Sequence, residues 1–310
     1  MDTRIAARAL CSGIFVLAFA AGSLAQQTAP PVTSGEQLPV PGKPVAADFS
    51  LLSEHNTEWM LTQEPQLQME FLLSEAINHD HGATDWINKL VEGWHGKLKP
   101  TPRWGTLQDT ALYSNDLRVR AAAIEINLAV RNLNKTDETA DQLIRSAEAH
   151  PGNRPYAAWE LGMLANRGIQ PERIHEWLQT YIRDPNEQVR FWSVEGLAHL
   201  GTDETIKDFL EVLRSDASMN VRERAGCSLA KSGMLTREQR MKAVPGLLDL
   251  ADDTALNATT RNWVFQALRE ITNQSIPNDS RAWRSWYEKF GAQRIEEFRQ
   301  GEKWAVLGNS

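Results

Sequence analysis

Asp184-Pro185-Asn186-Glu187-Gln188-Val189-Arg190-Phe191-Trp192-Ser193-Val194-Glu195-Gly196-Leu197-Ala198-His199-Leu200-Gly201 reads as one helix with its own start and stop signals. An aspartate such as Asp184 caps an N-terminus because its carboxylate accepts the orphan N–H groups of the first turn. Pro185 has a preset φ suited to the first helical position, where no N–H is needed. Val189, Trp192, Leu197 and Leu200 then fall close to helical spacing on one face. Gly196 shares that face and leaves room for a second helix. Gly201 supplies the left-handed C-terminal cap.

Weaker copies lie on both sides. Asp216 to Gly233 repeats the pattern with Val221, Arg222, Ala225 and Leu229, and Asp116 to Arg131 repeats it with Val119, Arg120, Ala123 and Ile124. Degenerate copies run Asn153 to Gly168 and Leu256 to Thr272. Taking Arg120, Ala157, Arg190, Arg222 and Arg261 as equivalent, the steps are roughly 32 to 39 residues, a period that signifies stacked repeats. Between the copies lie second amphipathic helices at about 138–149, 171–183, 203–214 and 236–251. In the third of these, Ile206, Phe209, Leu210 and Leu213 form the buried stripe, and Glu204, Lys207, Asp208 and Glu211 are expected to face water. Pro245 is expected to kink the fourth.

A helix reading Asp-x-x-x-x-Val-Arg-x-x-Ala-x-x-x-Leu-x-x-Leu-Gly, followed by a second amphipathic helix, resembles a HEAT repeat. It is most similar to the short bacterial kind, also seen in the phycobilisome lyase-like HEAT group. Asp184, Val189, Arg190, Leu197, Leu200 and Gly201 carry the likeness, with Ser193 at the usual alanine; Asp216, Val221, Arg222, Ala225, Leu229 and Gly233 carry it again. TPR repeats share the period, but their Trp-Leu-Gly-Tyr spacing is not found. The resemblance implies an all-α fold, an α-solenoid of stacked antiparallel helix pairs with atypical helical caps at both ends. It also implies that Asp116, Asp184 and Asp216 link neighbouring repeats through Arg120, Arg190 and Arg222.

Composition agrees with a globular chain of 310 residues, 42% hydrophobic, with net charge −7. Lys and Arg form no stripe, which argues against nucleic acid as the main partner. Arg4 and Arg8 precede an apolar run from Ala9 to Ala21, and Ser23-Leu24-Ala25 offers small residues for cleavage, so residues 1–25 read as a secretory signal. The expected location is the periplasm or outside the cell, with no membrane span after cleavage; retention as an anchor is the alternative. Cleavage removes Cys11 and leaves Cys227 with no intrachain disulfide partner. Five prolines mark residues 26–46 as a disordered tether. Residues 47–114 read as an N-terminal helical cap filled by Trp59, Trp86, Trp94 and Trp104, since a solenoid end needs an atypical covering unit. Repeats occupy 115–290. They close on a Trp-rich helix that begins at Asn278-Asp279-Ser280 and carries Trp283, Trp286 and Tyr287; residues 291–310 form a tail in which Trp304 could dock.

The search for chemistry finds no catalytic constellation and no phosphate-binding loop. His79-Asp80-His81, with His55 and His95 near in sequence, is the most metal-like group, but spacing fixes no third ligand. It reads as a polar turn, and no metal or cofactor is assigned. His175-Glu176 begins like a zinc-protease helix, but Gln179 stands where the second His is needed. Cys227 lies inside a repeated helix and reads as a structural thiol. Trp159, Trp177, Trp192 and Trp263 read as packing. The HEAT resemblance implies an interaction scaffold whose concave surface, lined by second helices, binds a protein partner. By that analogy the contact residues are Glu176, Gln179, Lys207, Asp208, Glu211, Arg237, Arg240 and Lys242. The other readings are a lyase-like or cofactor-binding HEAT protein and a signal-anchored envelope protein.

Overall fold

Every element in the computed structural model, which describes residues 52–307, is a helix or a helical turn. The export signal (1–25) and the tether (26–46) lie outside the described residues. The elements are α1 (Glu54–Leu61), α2 (Pro65–Ile77), α3 (His81–Leu90), α4 (Pro102–Leu112), α5 (Leu117–Val130), α6 (Asp137–Ala149), α7 (Arg154–Asn166) and α8 (Pro171–Tyr181). There follow α9 (Glu187–Leu200), α10 (Thr205–Ser215), α11 (Met219–Cys227), α12 (Arg237–Met241), α13 (Val244–Asp252), α14 (Ala258–Thr272) and α15 (Ser280–Leu307). The first helices α5, α7, α9, α11 and α14 pack in succession, and α6, α8, α10, the α12–α13 pair and α15 follow them as second helices. This is the expected α-solenoid of paired helices. α2, α3 and α4 pack on α5, the first helix of the first pair. Trp94 is buried there, Trp86 and Trp104 are half-buried, and Trp59 stays exposed against Phe71 rather than filling the cap.

The two helix classes differ because their surroundings differ. All residues from Trp192 to Leu200 of α9 and from Ala157 to Ala165 of α7 are buried, so these helices are covered on every side. α10 buries only Thr205, Ile206, Asp208, Phe209, Val212 and Leu213, one stripe of an amphipathic helix. α7 and α9 approach until backbone meets backbone. A Cβ on Gly196 would collide with the carbonyl oxygen of Ala158 and, at 2.7 Å, with Leu178 Cδ2; a Cβ on Gly162 would collide with Gly196 itself.

Helix starts fall two residues later than the sequence pattern implies. Asn186, not Asp184, caps α9 by accepting from Gln188 N at 2.8 Å, and Pro185 precedes the cap. Asp184 instead accepts from Asn186 N at 2.8 Å and binds Arg154 at 2.9 Å on the previous first helix. Asp216 repeats this arrangement, accepting from Ser218 N and pairing with Arg190 at 2.8 Å, while Ser218 caps α11. An aspartate two residues before the cap closes an Asx turn and keeps one oxygen for the neighbouring repeat. Asp116 does cap α5. Gly201 takes the left-handed conformation at φ 65°, as its position requires.

Three further departures have local causes. The last turn of α11 widens into a π-helical turn, Ser228–Ser232, after which Gly233 is extended rather than left-handed. Pro245 does not kink one long helix; it occupies the first turn of α13, where its missing N–H removes no bond, and α12 is separate. The closing helix does not end near Phe290 but continues to Leu307, held by Arg284 to Asp252 and by Arg299 to Glu238 at 2.7 Å. Asp279 starts it by accepting from Arg281 N and Ala282 N, and Trp283 is fully buried. The side chain of Trp304 lies outside the described residues. No described helix is long and apolar enough to cross a membrane.

Candidate functional site

Burial of the central turns of the first helices encloses charged side chains that their sequence carries. Glu125, Glu160 and Glu195 lie on the successive first helices α5, α7 and α9, and all three are buried. Each is met by at least one cation from outside its own helix. Glu125 pairs with Arg167 and Lys135 at 2.8 Å, and Glu160 with Asn127 and Arg131. Glu195 takes Arg120 at 2.7 Å on one oxygen and Arg224 on the other, with His199 Nε2 3.0 Å away. Burial pushes the Glu195 carboxyl up, but the Arg224 and Arg120 guanidiniums outweigh it and hold the group well below the usual range. Arg120 also donates to the carbonyls of Ser114 and Ser232, so it does not form the exposed link to the next repeat that its register implies. One buried guanidinium thus ties the start of α5, the middle of α9 and the turn after α11.

Glu160 behaves differently. Burial raises its pKa above 4.5 against the lowering effect of Arg131 and Asn127, and its Oε2 has no hydrogen-bond partner. The folded chain therefore holds this proton more tightly than the unfolded chain, so its contribution to stability falls as pH rises through the raised value. Measured by denaturant unfolding, Glu160→Gln should gain on wild type as pH rises from 4.5 toward neutrality. An unchanged difference would mean that Glu160 titrates normally in the fold.

Over the Arg120–Glu195–Arg224 group lies a surface cleft of about 380 Å³. Residues just before or within the opening turns of α5 (Tyr113, Asn115), α9 (Glu187, Gln188, Phe191) and α11 (Asn220, Glu223) line it, with Arg224 and Cys227 at its base. Tyr113 is 64% exposed and meets Trp192 edge-on at 5.5 Å. Trp192 in turn meets Phe191 at 5.2 Å. Burial, with the charge of Asp109 and the neighbouring Tyr156, raises the Tyr113 phenol. Tyr156, 60% exposed, lines a second cleft of about 280 Å³ above Glu160. The most exposed aromatic rings of the described residues thus stand along the starting ends of the first helices.

The residues expected to form the contact surface are placed unevenly. Glu176 and Lys207 are exposed, Arg237 is exposed with Phe298 at 5.8 Å, and Lys242 is exposed and pairs with Asp203. Gln179 is half-buried and Glu211 binds Arg183 at 2.7 Å. Asp208 and Arg240 are not surface residues. Asp208 is 1% exposed and accepts from Gln179 at 2.9 Å, with His175 Nε2 at 2.7 Å, because its place on α10 faces α8 across the repeat junction. Arg240 is buried and donates to the carbonyls of Ser228, Leu229, Gly233 and Leu235. Ser228 and Leu229 belong to the π turn, and Gly233 and Leu235 to the segment that follows it. Burial pushes the Arg240 pKa down to about 10. The second-helix row is in large part a lacing of polar contacts between repeats.

Among the described residues no three His, Cys, Asp or Glu are grouped to hold a metal ion. His79 has a left-handed backbone at the end of α2, and the side chain of His81 lies outside the described residues. Cys227 is half-buried rather than fully buried, and burial pushes its thiol up. Trp159, Trp177 and Trp192 are buried and Trp263 half-buried, as packing residues. Tyr113, Phe191 and Glu223 escaped the sequence reading because they lie off the repeated stripe. The available signal was a large ring beside each helix start, at Tyr113, Tyr156 and Phe191.

No curated protein matches the chain. Among solved structures it is similar to the crystal structure of an engineered protein at 17% identity, covering 66% of this chain and 97% of that one with a TM-score of 0.32. Residues 136–230 match the family described as HEAT repeats. That segment runs from α6 into the turn after α11 and holds the Asp184–Arg154 and Asp216–Arg190 links between successive helix pairs. By its stacked helix pairs and this match, the chain carries HEAT repeats over residues 136–230.

Proposed function

We propose that the protein is an exported interaction scaffold that holds a protein partner along the starting ends of its first helices. The observation that carries this reading is the exposed row of rings, Tyr113 and Tyr156, beside Phe191 and at the starting ends of helices whose central turns are buried. Exposed aromatics are enriched where proteins bind proteins, since each supplies large contact area with few rotamers to fix. Glu176, Gln179, Lys207, Glu211, Arg237 and Lys242 are proposed as a flanking contact face on the second helices. Export is proposed from the Arg4–Ala25 pattern alone.

A photo-crosslinking residue placed at 113 or 156 in the full chain, expressed in its native cell, is expected to capture one discrete protein. The same residue at Glu176 or Lys207 should capture it more weakly. Capture at neither face would overturn the scaffold reading. A chain retained in the cytoplasm after fractionation would overturn export.

A further inference from the structure

We infer that the cleft between Tyr113, Phe191, Glu187 and Glu223 receives the basic head of an arginine or lysine side chain from the partner. This rests on the scaffold reading and names the chemistry of its contact.

Charge is the first ground. Glu187 and Glu223 are both exposed at the rim. Glu187 uses one oxygen, Oε1, to accept from Ser218 Oγ at 2.7 Å and from Asn220 Nδ2 at 3.5 Å, and Glu223 makes no ion pair among the described residues. The cation that lines the cleft, Arg224, is already committed: it binds the buried Glu195, and its guanidinium lies 5.8 Å from the Phe191 ring. Arg224 and Arg120 share the single charge of Glu195, which leaves one positive charge at the base against the two carboxylates of Glu187 and Glu223 at the rim, so the cleft keeps an excess of negative charge toward solvent. The positive ends of α9 and α11 do not reverse this, because Asn186 and Ser218 cap them. An anion is therefore disfavoured and a cation favoured. A second copy of this chain, with net charge −7, is a poor occupant on the same ground.

Shape and surface chemistry narrow the occupant. A volume of about 380 Å³ lies near the lower end of small-ligand pockets and suits one long side chain rather than a helix. Tyr113 is mostly exposed and leaves ring surface for a cation to stack on, an arrangement in which guanidinium outperforms ammonium. Asn115, Gln188 and Asn220 are exposed around the opening and supply amide groups to a peptide backbone. Apolar and anionic side chains use only part of this set.

The test uses the full chain with Cys11→Ser, leaving Cys227 as the reporter thiol. The probes are capped, glycine-flanked peptides carrying arginine, lysine or citrulline, the last a neutral isostere of arginine. The arginine peptide is expected to bind saturably and to slow alkylation of Cys227. Lysine should bind more weakly, and citrulline about tenfold or more weakly than arginine, the scale of one charge-assisted hydrogen bond. Glu187→Gln with Glu223→Gln should remove that preference, and Tyr113→Ala should weaken both cations; all three side chains are exposed, so the fold is retained. Equal binding of arginine and citrulline, or saturable binding that leaves Cys227 unprotected, overturns the inference. If crosslinking at 113 captures a partner equally well in the double variant carrying Glu187→Gln and Glu223→Gln, the scaffold stands and the basic-head site falls. If the arginine peptide binds as described while no partner crosslinks at either face, the site's chemistry stands and the scaffold reading falls.

Discussion

Replacing Gly196 with alanine is expected to lower the stability of the fold by about 2 kcal/mol or more, although alanine is the better helix former. In an open helix the same change gains roughly 0.5–1 kcal/mol. Here the added methyl would strike the backbone oxygen of Ala158 and the side chain of Leu178. Leu178 has other rotamers, but the carbonyl belongs to α7 and moves only if the helix moves. Separating α7 from α9 loosens two helices whose central turns are wholly buried. Overpacking of this kind typically costs about 1–3 kcal/mol, and more where the obstacle is rigid. Gly105 provides the control, since a Cβ there meets nothing within 4 Å. Gly105→Ala should be neutral or stabilising in the same urea titration. Gly162→Ala should resemble Gly196→Ala, and the double variant should cost less than the two single losses added together. One separation of the helices relieves both clashes, so the sites couple. A stable Gly196→Ala protein with an unchanged midpoint would refute the backbone contact between these helices.

That contact shows what was legible in the sequence and what was not. Gly196 could be read as a place for close approach because it interrupts an apolar face at helical spacing. Its partner, Gly162, gave no such signal, because identifying it requires knowing which residues of α7 oppose α9. The solenoid itself followed from period and pattern, both of them local properties. The contact surface did not. Asp208 and Lys207 are adjacent in sequence and equally polar, yet Asp208 lies between α8 and α10 while Lys207 faces water. Periodicity marks the apolar stripe, but it does not tell a polar residue at a repeat junction from one facing solvent. Arg240 was hidden for a related reason: two of its acceptors lie in the π turn that ends α11, and nothing in the stretch Ser228–Ser232 announces one. The cleft was missed because its walls come from three separate repeats.

Glu195→Leu is expected to be the most destabilising single change in the protein, costing about 3–5 kcal/mol by urea unfolding at neutral pH. The glutamate lies at zero exposure between Arg120 and Arg224. Removing it leaves the fully buried Arg120 guanidinium with only two carbonyl acceptors and no counter-charge. Arg224 is partly exposed and turns to water at smaller cost. The asymmetry makes a sharp test. Glu195→Leu with Arg120→Met removes both buried charges and should recover most of the lost stability, since apolar replacement of a buried pair is often neutral or better. Recovery would show that the penalty came from an orphaned charge rather than a cavity. The pH dependence has a fixed sign. The folded pKa of Glu195 is depressed, so its contribution is complete above the unfolded value of 4.5 and is lost as pH falls through the folded value. The gap between wild type and Glu195→Leu should therefore narrow on acidification, opposite in direction to the Glu160 effect. The pair also positions the cleft, because Arg120 anchors the Ser114 carbonyl beside Tyr113 and Asn115. The double variant should thus regain stability yet bind the arginine peptide more weakly than wild type. Wild-type binding in that variant would mean that the cleft walls are held by packing alone.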